Sequence, residues 1–301
     1  MKRPYRLAWF VLACLFLFTA IAPNASAQLR DANMWWLPPV VTKGGEKIDF
    51  IFYIIFWLTF LVFIVVQTTF LWFIVKYRRK RGVPAVYSHG NNKLEIIWTT
   101  APALIFIVLG VYSNHIWNTE MRAPAPKDSI KIDIVAYQFG WHIRNPGRDG
   151  KLAESSTARQ GKDNWFGVNA DDPDGIDDYQ SENVLTVPVG KNVNIILSSL
   201  DVIHSFYVPV FRMYQDAIPG RSINWVWFEA TKTGTYDLAC SQLCGSGHYN
   251  MKATVNIVSQ ADYDKLVAEK SKAAALQKLQ KNAAALPPPP PDAPAAAVAA
   301  K

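Results

Sequence analysis

Cysteine is nearly absent: the 301 residues contain three, and only Cys240 and Cys244 lie beyond the first twenty positions. At most one disulfide can therefore form in the bulk of the chain, which excludes a scaffold stapled by several. There is no C-x-x-C-H, so no c-type haem is attached. No repeat of 20–50 residues is visible, which removes solenoids and propellers. The net charge of +7 belongs partly to Lys2, Arg3 and Arg6 and to "KYRRKR" (76–81), so it is not read as nucleic-acid binding. What is abundant is apolar: half of the residues are hydrophobic and 13% aromatic, and they are strongly clustered.

The clusters read as membrane segments. Residues 1–27 have a basic start, an apolar stretch from Leu7 to Ala22 and a small-residue site at Ala25-Ser26-Ala27, the pattern of a secretory signal whose removal takes Cys14 with it. A short exported segment (28–47) follows. Ile48 to Val75 is long enough to span a bilayer, and the basic "KYRRKR" places the next loop (76–93) on the cytoplasmic side. A second run, Ile96 to Tyr112, contains Pro102, which membrane helices tolerate, and returns outward; Trp98 and Trp117 sit at interfacial positions. The expected topology is a two-pass hairpin (48–117) in a bacterial inner membrane, with the N-terminus and everything after about 118 outside.

After a linker (118–129), runs at 130–139, 182–190, 192–200, 223–230, 234–240 and 253–259 alternate or run apolar between Gly, Pro and Asn. This spacing predicts an all-β sandwich or barrel over 118–258. Residues 259–285 have a Ser cap and helix-forming composition, and 286–301 form a Pro/Ala-rich tail of low complexity.

"CSQLCGSGHYNM" (240–251) gathers Cys240, Cys244, His248 and Met251 in one loop. Thiolate and thioether are soft ligands that favour copper, and imidazole suits copper, zinc and iron. Two thiolates can bridge two coppers if a second imidazole comes from elsewhere, and His204 in "DVIHSFYVPV", between two predicted strands, is the candidate. The rival readings are a Cys240–Cys244 disulfide, which leaves His248 and Met251 incidental, and zinc, for which Met is a poor ligand.

The loop resembles the copper A loop of cytochrome c oxidase subunit II, C-x-[EQ]-x-C-x-x-x-H-x-x-M. "DVIHSFYVPVFRMYQDAIPGR" (201–221), "LEIIWTTAPALI" (94–105) and "AYQFGW" (136–141) resemble further stretches of that family. The resemblance implies a cupredoxin-like sandwich on a two-helix transmembrane hairpin. It implies two copper ions in a binuclear centre held by His204, Cys240, Cys244, His248, Met251 and the main-chain carbonyl of Gln242. It also implies cytochrome c as electron donor and a haem-copper subunit I that reduces oxygen and pumps protons. Many members carry Glu at the place of Gln242, where it binds magnesium at the subunit I boundary; a neutral amide is a weaker ligand for a hard cation, which weakens the case for magnesium here. Many carry Trp, the residue that receives the electron, where this chain has Phe139, with Trp141 or Tyr137 as substitutes. Glu95, at the start of the second span, takes the place of a proton-uptake carboxylate.

The loop 162–182 holds six Asp and one Glu against one Lys. Such a run is a solvated surface or a patch that steers a basic partner. Asp171, Asp172, Asp174, Asp177 and Asp178, with Asp201, are the docking candidates. His89, His115 and His142 read as boundary or surface residues. Rival functions are the electron-accepting subunit of a copper A nitric oxide reductase, an oxidase with another donor, and a membrane-anchored copper carrier. A quinol oxidase subunit lacks the cysteine pair.

Overall fold

The computed structural model describes residues 36–84, 87 and 89–285. The expected signal (1–27), the first eight residues of the segment after it (28–35) and the tail (286–301) lie outside the described residues. Residues 36–39 form no regular element; from Val40 onward the described residues belong to a single unit.

Two long helices come first: α1, Gly45–Lys76, and α2, Asn92–Ile116. At 1.5 Å per residue the 32 residues of α1 reach about 48 Å, more than the roughly 30 Å of a bilayer's hydrocarbon core. Its Phe60, Leu61, Val62, Phe63, Ile64 and Val65 are all exposed, and a helix apolar all round is one solvated by lipid. Asn91 caps α2 by accepting from the backbone N–H of Lys93 and Leu94. Pro102 lies inside α2, and a π-helical turn, Trp117–Met121, ends it.

The remainder is a sandwich of two five-stranded sheets. The strands are β1 (Ile130–Tyr137), β2 (Gly140–Asn145), β3 (Tyr179–Glu182), β4 (Val184–Pro188), β5 (Asn192–Ser199), β6 (His204–Val208), β7 (Met213–Ala217), β8 (Ile223–Glu229), β9 (Gly234–Cys240) and β10 (Lys252–Val258). One sheet runs β3-β2-β1-β5-β8 and the other β4-β10-β9-β6-β7. β1 pairs in parallel with β5 and β4 with β10, and the other neighbours are antiparallel. This is a cupredoxin-like sandwich. Period-two alternation builds its core: Ile132, Ile134 and Ala136 of β1, Val193, Ile195 and Leu197 of β5, and Val255 and Ile257 of β10 are 0–2% exposed. Trp141 of β2 and Phe206 of β6 meet edge to face across the two sheets, 5.9 Å between centroids. A final helix, α3 (Gln260–Ala285), follows β10.

His204, expected between strands, is instead the first residue of β6. β3, β6 and β7 span four or five residues, too few to display a clear alternation in sequence.

Ion pairs tie the hairpin to the sandwich. Arg212 donates from Nε and Nη2 to both carboxylate oxygens of Asp49 at the start of α1, 2.6 and 2.9 Å, and Lys43, just before α1, reaches Glu229 of β8 at 3.2 Å. Residues 41–43 run along the sandwich, with Val41 N–H donating to the Val210 carbonyl and the Val41 carbonyl accepting from Thr231 N–H. The base of the sandwich is thereby held at the membrane end of the helices.

Candidate metal centre

The loop from the end of β9 to the start of β10 folds back on itself because both its ends are fixed by the sheet. Cys240 N–H donates to the Met251 carbonyl, closing the loop at its neck, and Lys252 pairs with Ala239 just beyond. β6 lies beside β9, with Phe206 opposite Cys240, and this register brings His204 to the loop. The result is a row of donors. His204 Nδ1 lies 3.9 Å from Cys240 Sγ, Cys240 Sγ 3.8 Å from Cys244 Sγ, and Cys244 Sγ 3.5 Å from His248 Nδ1. Met251 Sδ is 3.8 Å from Cys244 Sγ, and the Gln242 carbonyl oxygen 3.2 Å from Cys240 Sγ. An imidazole thus flanks each sulfur, and the six sequence-expected ligand groups converge. His204, Cys240, Cys244 and Met251 are buried, while His248 is half-buried.

The pair is not a disulfide: 3.8 Å is far beyond the 2.05 Å bond, and both cysteines are free thiols. Two sulfurs bound to one metal at about 2.3 Å each can be no more than about 4.6 Å apart, so the spacing fits thiolates that share metal. The donor set of two sulfurs, two imidazoles and a thioether is soft, which suits copper and disfavours hard cations. Burial, then the neighbouring Cys240, pushes the Cys244 thiol up to about 11.

Asp201 fixes the distal imidazole. Its Oδ1 lies 2.8 Å from His204 Nε2, so Nε2 carries the proton and Nδ1 turns its lone pair to the sulfurs. The same carboxylate accepts from Val202 N–H and Gln138 N–H, each at 2.7 Å. Burial opposes ionisation of Asp201, but these hydrogen bonds outweigh it and hold its pKa below the ordinary carboxylate value. The Gln138 side chain donates to the Cys244 carbonyl at 2.6 Å. One residue of the β1–β2 turn is therefore bonded both to the carboxylate behind His204 and to the cysteine loop.

A family profile described as the periplasmic domain of cytochrome c oxidase subunit II matches residues 171–258, and one for its transmembrane domain matches 35–116. The alternative cytochrome c oxidase subunit 2 of Bradyrhizobium diazoefficiens is 35% identical over 253 residues, covering 84% of this chain and 89% of that one. The chain belongs to the cytochrome c oxidase subunit II family. A probable subunit 2 from Rickettsia felis is 31% identical, with 88% of this chain and 81% of that one covered. The crystal structure of the periplasmic domain of subunit II from Bradyrhizobium japonicum is 31% identical, covers 50% of this chain and 99% of that chain, and superposes with a TM-score of 0.37. As in the family, the chain is membrane-anchored and carries an exported sandwich domain.

The other residues singled out in the sequence lie outside this donor set. Phe139, at the tip of the β1–β2 turn, is 38% exposed and lies against the cysteine loop: a Cβ on Gly247 would stand 2.4 Å from its ring. Trp141, named as a substitute for the electron-entry Trp, is 0% exposed and sits in the core opposite Ala136, an inward residue of β1, so it offers no surface to a donor. Tyr137 is half-buried and its hydroxyl donates to Glu182. His142 is no surface residue: it is 6% exposed, between two aromatic rings.

The acidic loop is not a solvated insertion. Asp178 is buried in a pair with Arg144, 2.9 Å, whose other arm holds Asp133 at 2.8 Å. Asp172 accepts from the backbone of Glu154 and Asp174, and Asp177 from Arg148. Asp174 faces Lys151 at 3.6 Å, and Asp171 is exposed. Asp178 is thus excluded as a docking charge, because acidic runs also supply turn caps and buried counter-ions. Asp201 belongs with His204. Glu95 lies exposed in the first turn of α2. Sequence reasoning missed the Asp201–His204 support, although the i,i+3 spacing of acid and imidazole was visible, and Gln138, for which no local signal exists.

Proposed function

We propose that this chain is the electron-accepting subunit of a cytochrome c oxidase complex. It takes electrons from cytochrome c on the outer side of a bacterial inner membrane and passes them to a haem-copper subunit I, where oxygen is reduced to water with proton pumping. The observation that carries the reading is the pair of thiols 3.8 Å apart with an imidazole beyond each. A single tetrahedral ion has four positions, too few for six donors. Two ions would accommodate them, and His204, Cys240, Cys244, His248, Met251 and the Gln242 carbonyl are the groups that would hold the pair. Bound there, a copper pair supplies reversible one-electron storage with its charge spread over both metals.

The chain's own part is to hold the donors still and dry. His204 and Met251 are 0% and 1% exposed, and Asp201 fixes the imidazole from behind, so little rearranges when charge changes. Glu95 is assigned to proton uptake on the cytoplasmic side, at the foot of α2 and clear of the metal site. A copper carrier needs exposed ligands that exchange, and burial of the two cysteines argues against it. The test is rapid mixing of the purified complex with reduced cytochrome c under anaerobic conditions. The near-infrared copper band should bleach before the haems reduce. Haem reduction without bleaching, or loss of copper to a mild chelator, would contradict the proposal.

A further inference from the structure

On the outer face of the β3-β2-β1-β5-β8 sheet stands a column of rings that the ligand set does not use. The Tyr137 ring, at the end of β1, lies 4.2 Å from that of His142 and 12° from parallel to it. On its other side His142 lies 3.4 Å from Trp165, at 13°. Trp165 belongs to the long connection between β2 and β3 and is 37% exposed, whereas His142 is 6% exposed. The column therefore runs from solvent to the end of β1. The next residue is Gln138, whose side chain donates to the Cys244 carbonyl at 2.6 Å. One peptide unit, the Gln138 side chain and one hydrogen bond link the innermost ring to the cysteine loop.

The column is held from several sides. The Tyr137 hydroxyl donates to Glu182, which stands opposite His142 in the β2–β3 register. Opposite Tyr137 is Gly140, where a Cβ would stand 2.6 Å from the hydroxyl oxygen, so only glycine leaves the ring its place. Burial lowers the His142 pKa against the pull of Glu182, and the stack is neutral at neutral pH.

Anchoring the connection does not require an indole left in water. The neighbouring Phe166, 3% exposed, already packs 5.5 Å from the Arg144 guanidinium. The Asn164 side chain donates to the Val168 carbonyl and accepts from Val168 N–H, which fixes the turn. A large aromatic half in water on an acidic loop has the composition of a docking contact, where Trp is enriched among the residues that dominate affinity.

We propose that the reduced electron donor seats on Trp165 and that the Trp165–His142–Tyr137 stack conducts its electron to the cysteine loop. The proposal rests on the electron-accepting reading above. One electron leaves the donor haem and one arrives at the metal centre; the three rings are the medium between them, are neither oxidised nor reduced, and no proton moves. The rival contact is Phe139, which lies directly on the loop.

The test uses the whole purified complex and compares Trp165→Leu, Trp165→Phe and Trp165→Lys with Phe139→Leu. Affinity for oxidised cytochrome c is measured without turnover, and electron uptake from reduced cytochrome c by stopped flow. Trp165→Leu should weaken binding about tenfold and slow uptake at least as much, with the copper band unchanged. Trp165→Phe should recover most of both, because it keeps a stacked ring. Trp165→Lys, which places a cation before a basic donor at an exposed position, should weaken binding further and covers the case in which the Leu variant folds poorly. Trp165→Leu and Trp165→Lys within twofold of wild type, with the loss appearing in Phe139→Leu instead, would overturn the proposal. A wild-type complex that takes no electron from cytochrome c would overturn the functional reading and this proposal together; normal wild-type uptake with silent Trp165 variants would overturn this one alone.

Discussion

Replacing Asp201 by Asn exchanges one oxygen for one nitrogen and disturbs three hydrogen bonds. In the native chain Oδ1 accepts from His204 Nε2 and from Val202 N–H, and Oδ2 accepts from Gln138 N–H. The single amide oxygen can take only one of those places. If it replaces Oδ1, the NH2 group faces Gln138 N–H, donor against donor, and the residue bonded to the Cys244 carbonyl is loosened. If it replaces Oδ2, the NH2 group faces His204 Nε2, whose proton must move to Nδ1, the nitrogen 3.9 Å from Cys240 Sγ, which then has no lone pair for a metal. Either way one hydrogen bond to a charged group is lost, worth about 1.5–3 kcal/mol. Loss of the partner behind a ligating imidazole weakens metal binding by about 10–100-fold, a span of similar size. The assay is a competition titration of copper on the purified full-length chain against a chelator of known affinity, with the salt dependence of cytochrome c oxidation measured alongside. The expected result is a drop in copper affinity within that range and an unchanged salt slope. Affinity within twofold of wild type together with a flattened salt slope would refute the reasoning and return Asp201 to a docking role.

Arg144→Leu leaves Asp133 and Asp178 buried without their shared cation, a loss of about 3–5 kcal/mol that should lower the thermal midpoint by roughly 10 °C, measured by circular dichroism; a shift under about 2 °C would contradict it. Burial raises the Asp178 carboxyl to about 6 against the pull of Arg144, above the value of about 4 expected in the unfolded chain. A raised carboxyl favours the native state while protonated, so its contribution is full below about pH 4 and lost as pH rises through about 6. The midpoint of the wild type should therefore fall relative to Asp178→Asn between pH 4 and pH 7, and parallel curves would count against this. Glu95→Gln should slow steady-state turnover and leave the copper spectrum as it is; unchanged turnover from pH 6 to 9 would make Glu95 an ordinary interfacial carboxylate.

Local chemistry was legible wherever it repeats along the chain. The apolar runs marked both membrane helices, and alternation in 130–137, 192–199 and 253–257 marked the inward faces of β1, β5 and β10. The cysteine loop was legible because four soft or borderline donors within twelve residues suit a metal site and little else. What could not be read were relations made by the sheets. His204 was named as the second imidazole, but that it reaches Cys240 from the neighbouring strand of the same sheet is decided by the register of β6 against β9, and Trp141 points into the core because it stands opposite Ala136 of β1. The acidic run misled for a related reason: composition shows charge but not partners, and Arg144, the cation that buries Asp178, lies on a strand 34 residues away. His142 had no signal of its own, since its two ring neighbours come from β1 and from the β2–β3 connection.

Electron paramagnetic resonance of the copper-loaded full-length chain, with metal content measured on the same sample, tests the central claim most directly. Two coppers per chain and a single unpaired electron split by two copper nuclei are expected, and Cys244→Ser should abolish that signal without unfolding the sandwich. A four-line spectrum from one isolated copper, or one zinc per chain, would contradict the account.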